Sequence, residues 1–547
     1  MIHPSQFPVI ELPRTDVVSY VLEHARERGD RPALVDPVTQ RTLTYRRLAD
    51  LVDSVAAGLL HAGLRPGDVL AVHAPNSLLY PVICLAALRA GAVVTPVNAL
   101  ATEAELIRHL TSSGARAVVS AAALAPLALA ARAAGAVEDV FLMEKETGDT
   151  SGLRDVTDLS TAAPGVQPPP CAVDPAADVA LLPYSSGTSG TPKGVLLTHA
   201  NLTANIAQMS HAMQVGPAHR VLAVLPFFHA YGFTTLIGLS LRGGATLVVV
   251  PRFRFETFLD TLAEHRVTHA LIAPPIAVAL LKHPRTEHKA FATVRQILCS
   301  AAPLRSDVAA EVQRRTGVPV VQAYGMTEMS PGIAVPPEGE AAKPGSVGRL
   351  LPMTELRVVS VTDGRPLAAG EEGELWVRGP QLMKGYALGT GTPQEQPQAV
   401  DADGWLRTGD VGLIDEDGWI HLRDRVKDLI KYKGYQIAPG ELEGCLLGHP
   451  MVADAGVAGA VDEHGEEYPK AYVVLLPGAR RHPPQAVEAE LMEYVAARVA
   501  PYKKIRAVRI VEAIPRSGAG KVLRRELAAL APQPTRRPTR HRTEQKA

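Results

Sequence analysis

At 547 residues the chain is too long for a single hydrophobic core, so at least two domains are expected. Apolar residues make up 46% and charged residues 20%, a balance that fits a globular protein and not a low-complexity or fibrous one. Lys+Arg and Asp+Glu stand at 56 each, so no net field recruits nucleic acid or an anionic membrane.

In chain order, no charged-then-apolar leader pattern opens the sequence. Residues 44–62 carry Leu48, Leu51, Val52, Val55 and Leu59 at helical spacing, closed by Gly63. Strands near 69–72, 92–95 and 117–120 alternate with helices near 78–90 and 103–113, as parallel α/β units require. The charge-free stretch between Arg116 and Arg132 is too short to span a bilayer and is broken by Pro126. Residues 144–178, rich in Gly, Pro, Asp and Thr, read as a loop or subdomain junction. The alternation resumes with strands near 246–250, 270–273, 297–300 and 318–321 and helices near 255–265, 276–283 and 306–315.

From about 345 to 424 the pattern changes to short strands, among them 374–378, with a hairpin at Asp417-Gly418. A smaller α+β domain follows over 428–530, with strands near 452–461, 471–476 and 507–511 and a helix near 485–498. The Pro/Arg-rich 531–547 reads as a disordered tail. The fold class expected is therefore α/β: residues 1–424 hold two α/β subdomains and a β-rich one, 425–427 form a hinge, and 428–530 form a small mobile α+β domain. Cys84, Cys171, Cys299 and Cys445 are widely separated without metal spacing, which points to a reduced, cytoplasmic protein.

The chemistry centres on Tyr184-Ser-Ser-Gly-Thr-Ser-Gly-Thr-Pro-Lys-Gly-Val195. Gly187, Gly190 and Gly194 permit close backbone approach, and Ser185, Ser186, Thr188, Ser189 and Thr191 add hydroxyl donors beside the cation Lys193. This is a polyphosphate cradle. It is not the common P-loop, because Pro192 precedes the lysine and Gly194 follows it. The helix marked by Leu202, Ile206, Met209 and Met213 is expected to place the loop at a strand-to-helix turn, where helix-end amides favour anions.

Further motifs follow in order. Tyr324-Gly-Met-Thr-Glu328 ends a strand with a ring able to stack on a purine and a carboxylate able to hold magnesium. Trp405-Leu-Arg-Thr-Gly-Asp410 ends in a carboxylate suited to a ribose diol. The basic run from Arg425 to Gln436 lies at the domain junction, and Pro515-Arg-Ser-Gly-Ala-Gly-Lys521 sets a lysine on a Gly-rich turn.

Together these motifs resemble the adenylate-forming superfamily, and the junction run is close to that of 4-coumarate–CoA ligases and related acyl-CoA ligases. The resemblance spans all but the tail. It implies ATP, Mg²⁺ and coenzyme A as cofactors and a small-molecule carboxylic acid as substrate. The product would be an acyl-adenylate, then a thioester, made by a monomer or homodimer. It implies that Tyr324 stacks the adenine, with Gly325, Met326 and the backbone of Ser300, Ala301 and Ala302 lining that site. Thr327 would reach the α-phosphate, Glu328 and Thr188 the metal, and Asp410 and Arg425 the ribose. Lys521, Lys431, Gln436 and His229 are the catalytic candidates, Lys427 is the hinge, and Lys433-Gly434 contacts CoA.

The acyl wall implied comprises His229, Ala230, Tyr231, Ser300, Gly325, Pro331, Gly332 and Ile333. No carboxylate follows Phe228, which argues against an α-amino acid. Ala230 and Gly332 are small, which suits aryl, polycyclic or medium-chain acids. An adenylating enzyme that passes the acyl group to an amine or a carrier-protein thiol is the alternative. A degenerate nucleotide sensor ranks last, since Lys193, Glu328, Asp410 and Lys521 are all present.

Overall fold

The computed structural model describes residues 1–145, 152–162, 168, 172–185, 192–283, 286, 288–387, 400–432, 435–462, 466–479, 483–516 and 522–530. They divide into two compact units. One is Met1–Thr408 with Gly412–Leu422, and the other is Gly409–Val411 with the chain from Arg423 onward.

The larger unit holds two α/β sheets. In the first, Val69–His73 pairs in parallel with Val93–Val97 and Ala115–Ser120, and the latter with Asp139–Leu142. On the other flank Lys193–Thr198 runs antiparallel to Val179–Leu181, Tyr184–Ser185 and Gly385–Tyr386. Its helices form for local reasons. Tyr45–His61 buries Leu48, Val52, Val55 and Leu59 on one face, and Thr44 caps it by accepting from the Arg47 N–H. Glu103–Ser113 starts on a reciprocal Thr102/Glu105 capping box and ends at Gly114, whose φ of 64° suits glycine.

The second sheet runs Val320–Gln322, Gln296–Cys299, His269–Ile272, Arg220–Ala223, Thr246–Val249, Pro32–Val35 and Thr42–Thr44, parallel except for the last pair. Its central strand, Arg220–Ala223, was not anticipated: four residues with an arginine at one end carry no period. The β-rich part is a sheet of His3–Pro4, Glu355–Val359, Gly373–Arg378, Leu406–Ile414 and Ile420–Arg425. Against it the fully buried Trp405 ring packs on the guanidinium groups of Arg357 and Arg378, at 4.2 and 4.7 Å from the ring centroid.

In the smaller unit Val452–Val461 pairs antiparallel with Glu467–Leu475, and Ala507–Ile510 adds in parallel. Helices Pro439–Leu447, Pro484–Ala496 and Arg524–Ala529 belong to this unit. The α/β class expected from the sequence is therefore what the chain adopts. Among the described residues no helix is long and apolar enough to cross a membrane. The tail 531–547 lies outside them.

Two expectations need correction. Residues 144–178 are not all loop, because Val156–Ala162 is helical and buries Val156 and Leu159. Gly58 makes room for it: a Cβ there would fall 2.1 Å from the Leu159 carbonyl oxygen. Nor does a helix follow directly on the glycine-rich segment. Its flanking residues, Ser185 and Lys193, face each other across a β-ladder, and the helix His199–Met213 begins only at the far end of strand Lys193–Thr198. A six-residue strand puts that helix terminus roughly 20 Å from the loop, too far for its amides to reach a bound anion.

Candidate active site

The Ser185↔Lys193 and Tyr184↔Gly194 pairs close a hairpin whose tip is the predicted cradle. The tip residues Ser186, Gly187, Thr188, Ser189, Gly190 and Thr191 lie outside the described residues. At its base the Lys193 ammonium stands 5.0 Å over the ring of Tyr386. The Tyr386 hydroxyl donates to Glu328 Oε1 at 2.9 Å. Glu328 sits in the 3₁₀ turn Thr327–Met329, only 6% exposed, and its carbonyl accepts from the Met383 N–H at 2.8 Å. Burial, then the Glu328 charge, holds the Tyr386 phenol well above its ordinary value, so it remains a donor. Three segments remote in sequence thus converge on one cation and one carboxylate. Sequence reasoning missed Tyr386, because one aromatic in a two-residue strand carries no motif.

A second set of contacts holds the strand that feeds the loop. Tyr184 Oη and Ser112 Oγ are 2.7 Å apart, and the Tyr184 ring packs on His109 at 4.3 Å between centroids. Thr95 donates its one hydroxyl proton to the Leu182 carbonyl at 2.8 Å, so it accepts from His109 Nε2–H, also at 2.8 Å. Burial, then neighbouring His73, lowers His109 to about 4, which keeps the ring neutral.

At the second sheet, Ser300 follows the strand Gln296–Cys299, and Ala301 adopts a positive φ of 74°. Tyr324–Gly325 pairs with Gly332–Val335. Gly325 has to be glycine, since a Cβ would meet the Pro331 carbonyl oxygen at 2.3 Å. Tyr324 is 6% exposed, mostly packed into the core. Tyr231 opens a π-helical segment, Tyr231–Leu239, of the kind often found at functional sites. Burial raises the Tyr231 phenol above its ordinary value while the nearby Ser300 hydroxyl opposes the shift; neither hydroxyl makes a hydrogen bond of ordinary geometry. Ala230 is buried beside Tyr231, and the His229 ring packs on Phe228 at 4.2 Å.

Gly332 points elsewhere than expected. Its N–H donates to Asn205 Oδ1, and its carbonyl accepts from Asn205 Nδ2, both at 3.0 Å. A Cβ at 332 would meet Leu351 Cδ1 and Met209 Sδ at 2.9 Å, inside packed core. Pro331 and Ile333 are buried on either side of it.

In the smaller unit Arg425 Nε donates to Asp410 Oδ1 at 3.0 Å, with Asp410 8% exposed. Lys427 lies in the turn Val426–Asp428, where burial lowers its ammonium. Lys431 and Gln436 are directly paired in the hairpin of Ile430–Tyr432 with Tyr435–Ile437, whose turn residues Lys433 and Gly434 lie outside the described set. Lys521 does too. The backbone bridge Arg516↔Val522 brackets its loop, and Arg516 Nη2 donates to Asp454 Oδ1 at 2.6 Å. Three residues on, Arg524 holds Glu443 through two bonds of 2.9 and 3.0 Å and reaches Asp428 at 3.4 Å.

Residues 21–387 match the AMP-binding enzyme family, and residues 441–521 match the AMP-binding enzyme C-terminal domain. The chain belongs to the AMP-binding enzyme family. The resemblance drawn from its motifs is borne out. Over 536 residues it is 41% identical to the 4-coumarate–CoA ligase-like 9 of Oryza sativa subsp. japonica, spanning 96% of this chain and 94% of that one. Among solved structures of the fold, a benzoate CoA ligase from Burkholderia xenovorans LB400 superposes with a TM-score of 0.83 at 26% identity, over 94% of this chain and 100% of that one. The amide bond synthetase McbA from Marinactinospora thermotolerans gives 0.81 at 27% identity, over 94% and 99%. As an AMP-binding enzyme, the chain presents the Lys193, Tyr386 and Glu328 cluster in the larger unit and the Asp410–Arg425 pair in the smaller.

Proposed function

We propose that the protein activates a carboxylic acid with ATP and passes the acyl group to the thiol of CoA. It is an AMP-forming acid–thiol ligase. In the first half-reaction a carboxylate oxygen attacks the α-phosphorus and the bond to pyrophosphate breaks. In the second, the CoA sulfur attacks the acyl carbonyl, AMP leaves, and the thiol proton is released.

The observation that carries this reading is the meeting of Lys193, Tyr386 and Glu328 at the base of the 185–193 hairpin. Two anions must come together for the first step, so positioning and charge compensation supply the catalysis. Lys193 offers the cation beside the cradle, and the cradle residues 185–191 hold the β- and γ-phosphates. A magnesium ion fits Glu328: Tyr386 occupies one carboxylate oxygen, and among the described residues the other makes no hydrogen bond. Among those residues no three acidic, His or Cys side chains cluster, so phosphate oxygens would complete the shell around Glu328 and Thr188. The ion's contribution is positive charge at the phosphate oxygens.

Tyr324 stacks the adenine, aided by Ser300–Ala302 and by Gly325 and Met326, while Thr327 reaches the α-phosphate. Asp410 and Arg425 hold the ribose, their mutual ion pair presetting both groups. Lys521 bridges carboxylate and α-phosphate in the first half-reaction. Lys431 and Gln436 serve the second half with Lys433-Gly434 at CoA, and rotation about Lys427, within 425–427, exchanges the two sets. Such hinge motions often limit turnover. The wall of His229, Ala230, Tyr231 and Ser300 lacks a carboxylate and offers two hydroxyls, which suits an aryl, polycyclic or medium-chain acid without an α-amine. A reducing compartment such as the cytoplasm suits the free thiols of Cys84 and Cys299. The enzyme is a monomer or homodimer, which sedimentation would tell apart.

The test is pyrophosphate release over a panel of aryl, cyclic and fatty acids, with and without CoA, following the acyl product by mass. Release with an acyl-CoA product is expected. A product formed only with an added amine would favour the amide-forming reading, to which the likeness to the amide bond synthetase lends weight.

A further inference from the structure

The second sheet presents Ser300 beyond the carboxyl end of strand Gln296–Cys299. Its opposite edge carries arginines that form no ion pair among the described residues. Arg220 opens one strand, His269 opens the next, and Arg295 directly precedes Gln296. Backbone bonds hold the three together: the Thr268 N–H donates to the Arg220 carbonyl at 2.9 Å, and the Arg295 N–H to the Thr268 carbonyl at 2.7 Å. His265 and Arg266 occupy the turn leading in, with the exposed Arg266 adding its charge to that of Arg220. Among the described residues Arg220, Arg266 and Arg295 form no ion pair. The nearby acids, Glu264 and Asp36, act on His265, and Asp36 Oδ1 already accepts from the N–H groups of Val38 and Thr39.

Counting protons sharpens the point. The Gly216 N–H donates to His219 Nδ1 at 2.8 Å, so the neutral ring, assigned from its hydrogen bonds, carries its proton on Nε2. Arg295 Nη1 stands 3.0 Å from that Nε2. Two N–H donors therefore meet with no acceptor between them. Among the described residues Arg220 Nε is buried with no acceptor. Thr268 gives its hydroxyl proton to the Arg220 carbonyl and accepts from His269 Nδ1–H, so His269 Nε2 is a buried acceptor without a donor; its ring meets the His219 ring edge-on at 4.8 Å and is 2% exposed. Burial lowers both histidines, His269 to about 4, so the positive charge of the edge resides in its arginines.

We propose that this edge is a binding site for a phosphate group, carried by inorganic phosphate or by a nucleotide, with Arg295 and His219 as its donors and the charge of Arg220 on the same edge. Phosphate oxygens accept in the planes of the guanidinium fork and of the imidazole N–H, which relieves the donor–donor contact. The four-residue strand Gln296–Cys299 sets the site roughly 13 Å from Ser300, so it is separate from the ATP site.

The test uses full-length protein labelled with ¹⁵N-histidine and titrated with inorganic phosphate at constant ionic strength. The His219 ring signals, assigned with His219→Gln, should shift saturably. Arg295→Ala should weaken that response about tenfold or more, while the ATP dependence of pyrophosphate release stays unchanged. Arg220→Gln serves as the second variant if Arg295→Ala melts early. Titration with ADP separates the sources: tighter binding than phosphate at His219 assigns a nucleotide, and equal binding assigns the phosphate group alone. No saturable response at His219, or wild-type binding by both variants, would overturn the site.

Discussion

The phenol of Tyr386 donates to Glu328 Oε1 at 2.9 Å while its ring lies 5.0 Å beneath the Lys193 ammonium. One side chain thus supports both the carboxylate and the cation proposed to face the ATP phosphates. Tyr386→Phe keeps the ring under Lys193 and removes only the hydroxyl donor. It should raise the Mg²⁺ concentration needed for half-maximal pyrophosphate release several-fold and cost about 1–2 kcal/mol of stability. An unchanged metal dependence would detach Glu328 from metal binding.

Lys521→Ala should abolish pyrophosphate release yet leave thioester formation from supplied acyl-adenylate largely intact. The two half-reactions are assayed separately on the same folded variant. Equal loss in both would refute the proposed division of labour between Lys521 and the Lys431–Gln436 pair.

Tyr184, in the strand that leads into the phosphate loop, is anchored by contacts with Ser112 and His109. Tyr184→Phe loses the Ser112 bond and keeps the stacking, so the loop's base loosens without a cavity. The KM for ATP should rise a few-fold with little change in the KM for the acid. A variant that only melts earlier, with both KM values intact, would reduce the contact to a packing role.

Burial pushes Glu443 up to about 6 from an ordinary 4.5, although Arg524 opposes the shift. The folded chain therefore favours the protonated carboxyl. Its contribution to stability is fully present below pH 4.5 and is lost as pH rises through 6, by about 2 kcal/mol. Glu443→Gln removes that titration. Thermal melts across pH 4.5–6.5 should show wild type losing ground against the variant as pH rises, and parallel curves would contradict the shift.

Gly332→Val is expected to act on packing first. The new side chain presses on Met209 and Leu351, so stability should fall by about 1–3 kcal/mol, and activity should fall for small and bulky acids alike. A selective penalty on bulky acids with unchanged melting temperature would return Gly332 to the acyl wall.

The elements that were legible are those whose signals are local. The helix Tyr45–His61 shows its period in Leu48, Val52, Val55 and Leu59, and Glu103–Ser113 carries its own capping box. Short elements without a period, such as Arg220–Ala223 and Val156–Ala162, were not legible. The second exists because Gly58, about a hundred positions away, leaves space for Leu159.

By itself the sequence determined the α/β class, the family and the set of chemically able residues, because glycine spacing, hydrophobic period and motif order are properties of neighbours along a chain. Only the tertiary structure decided which of those residues meet. It put the phosphate loop in a hairpin instead of at a helix start, joined Glu328 to Tyr386, turned Gly332 toward Met209, and gathered Arg220, His219 and Arg295 on one sheet edge. Strand order and ladder register bring together residues tens to hundreds of positions apart, and no local pattern encodes that pairing.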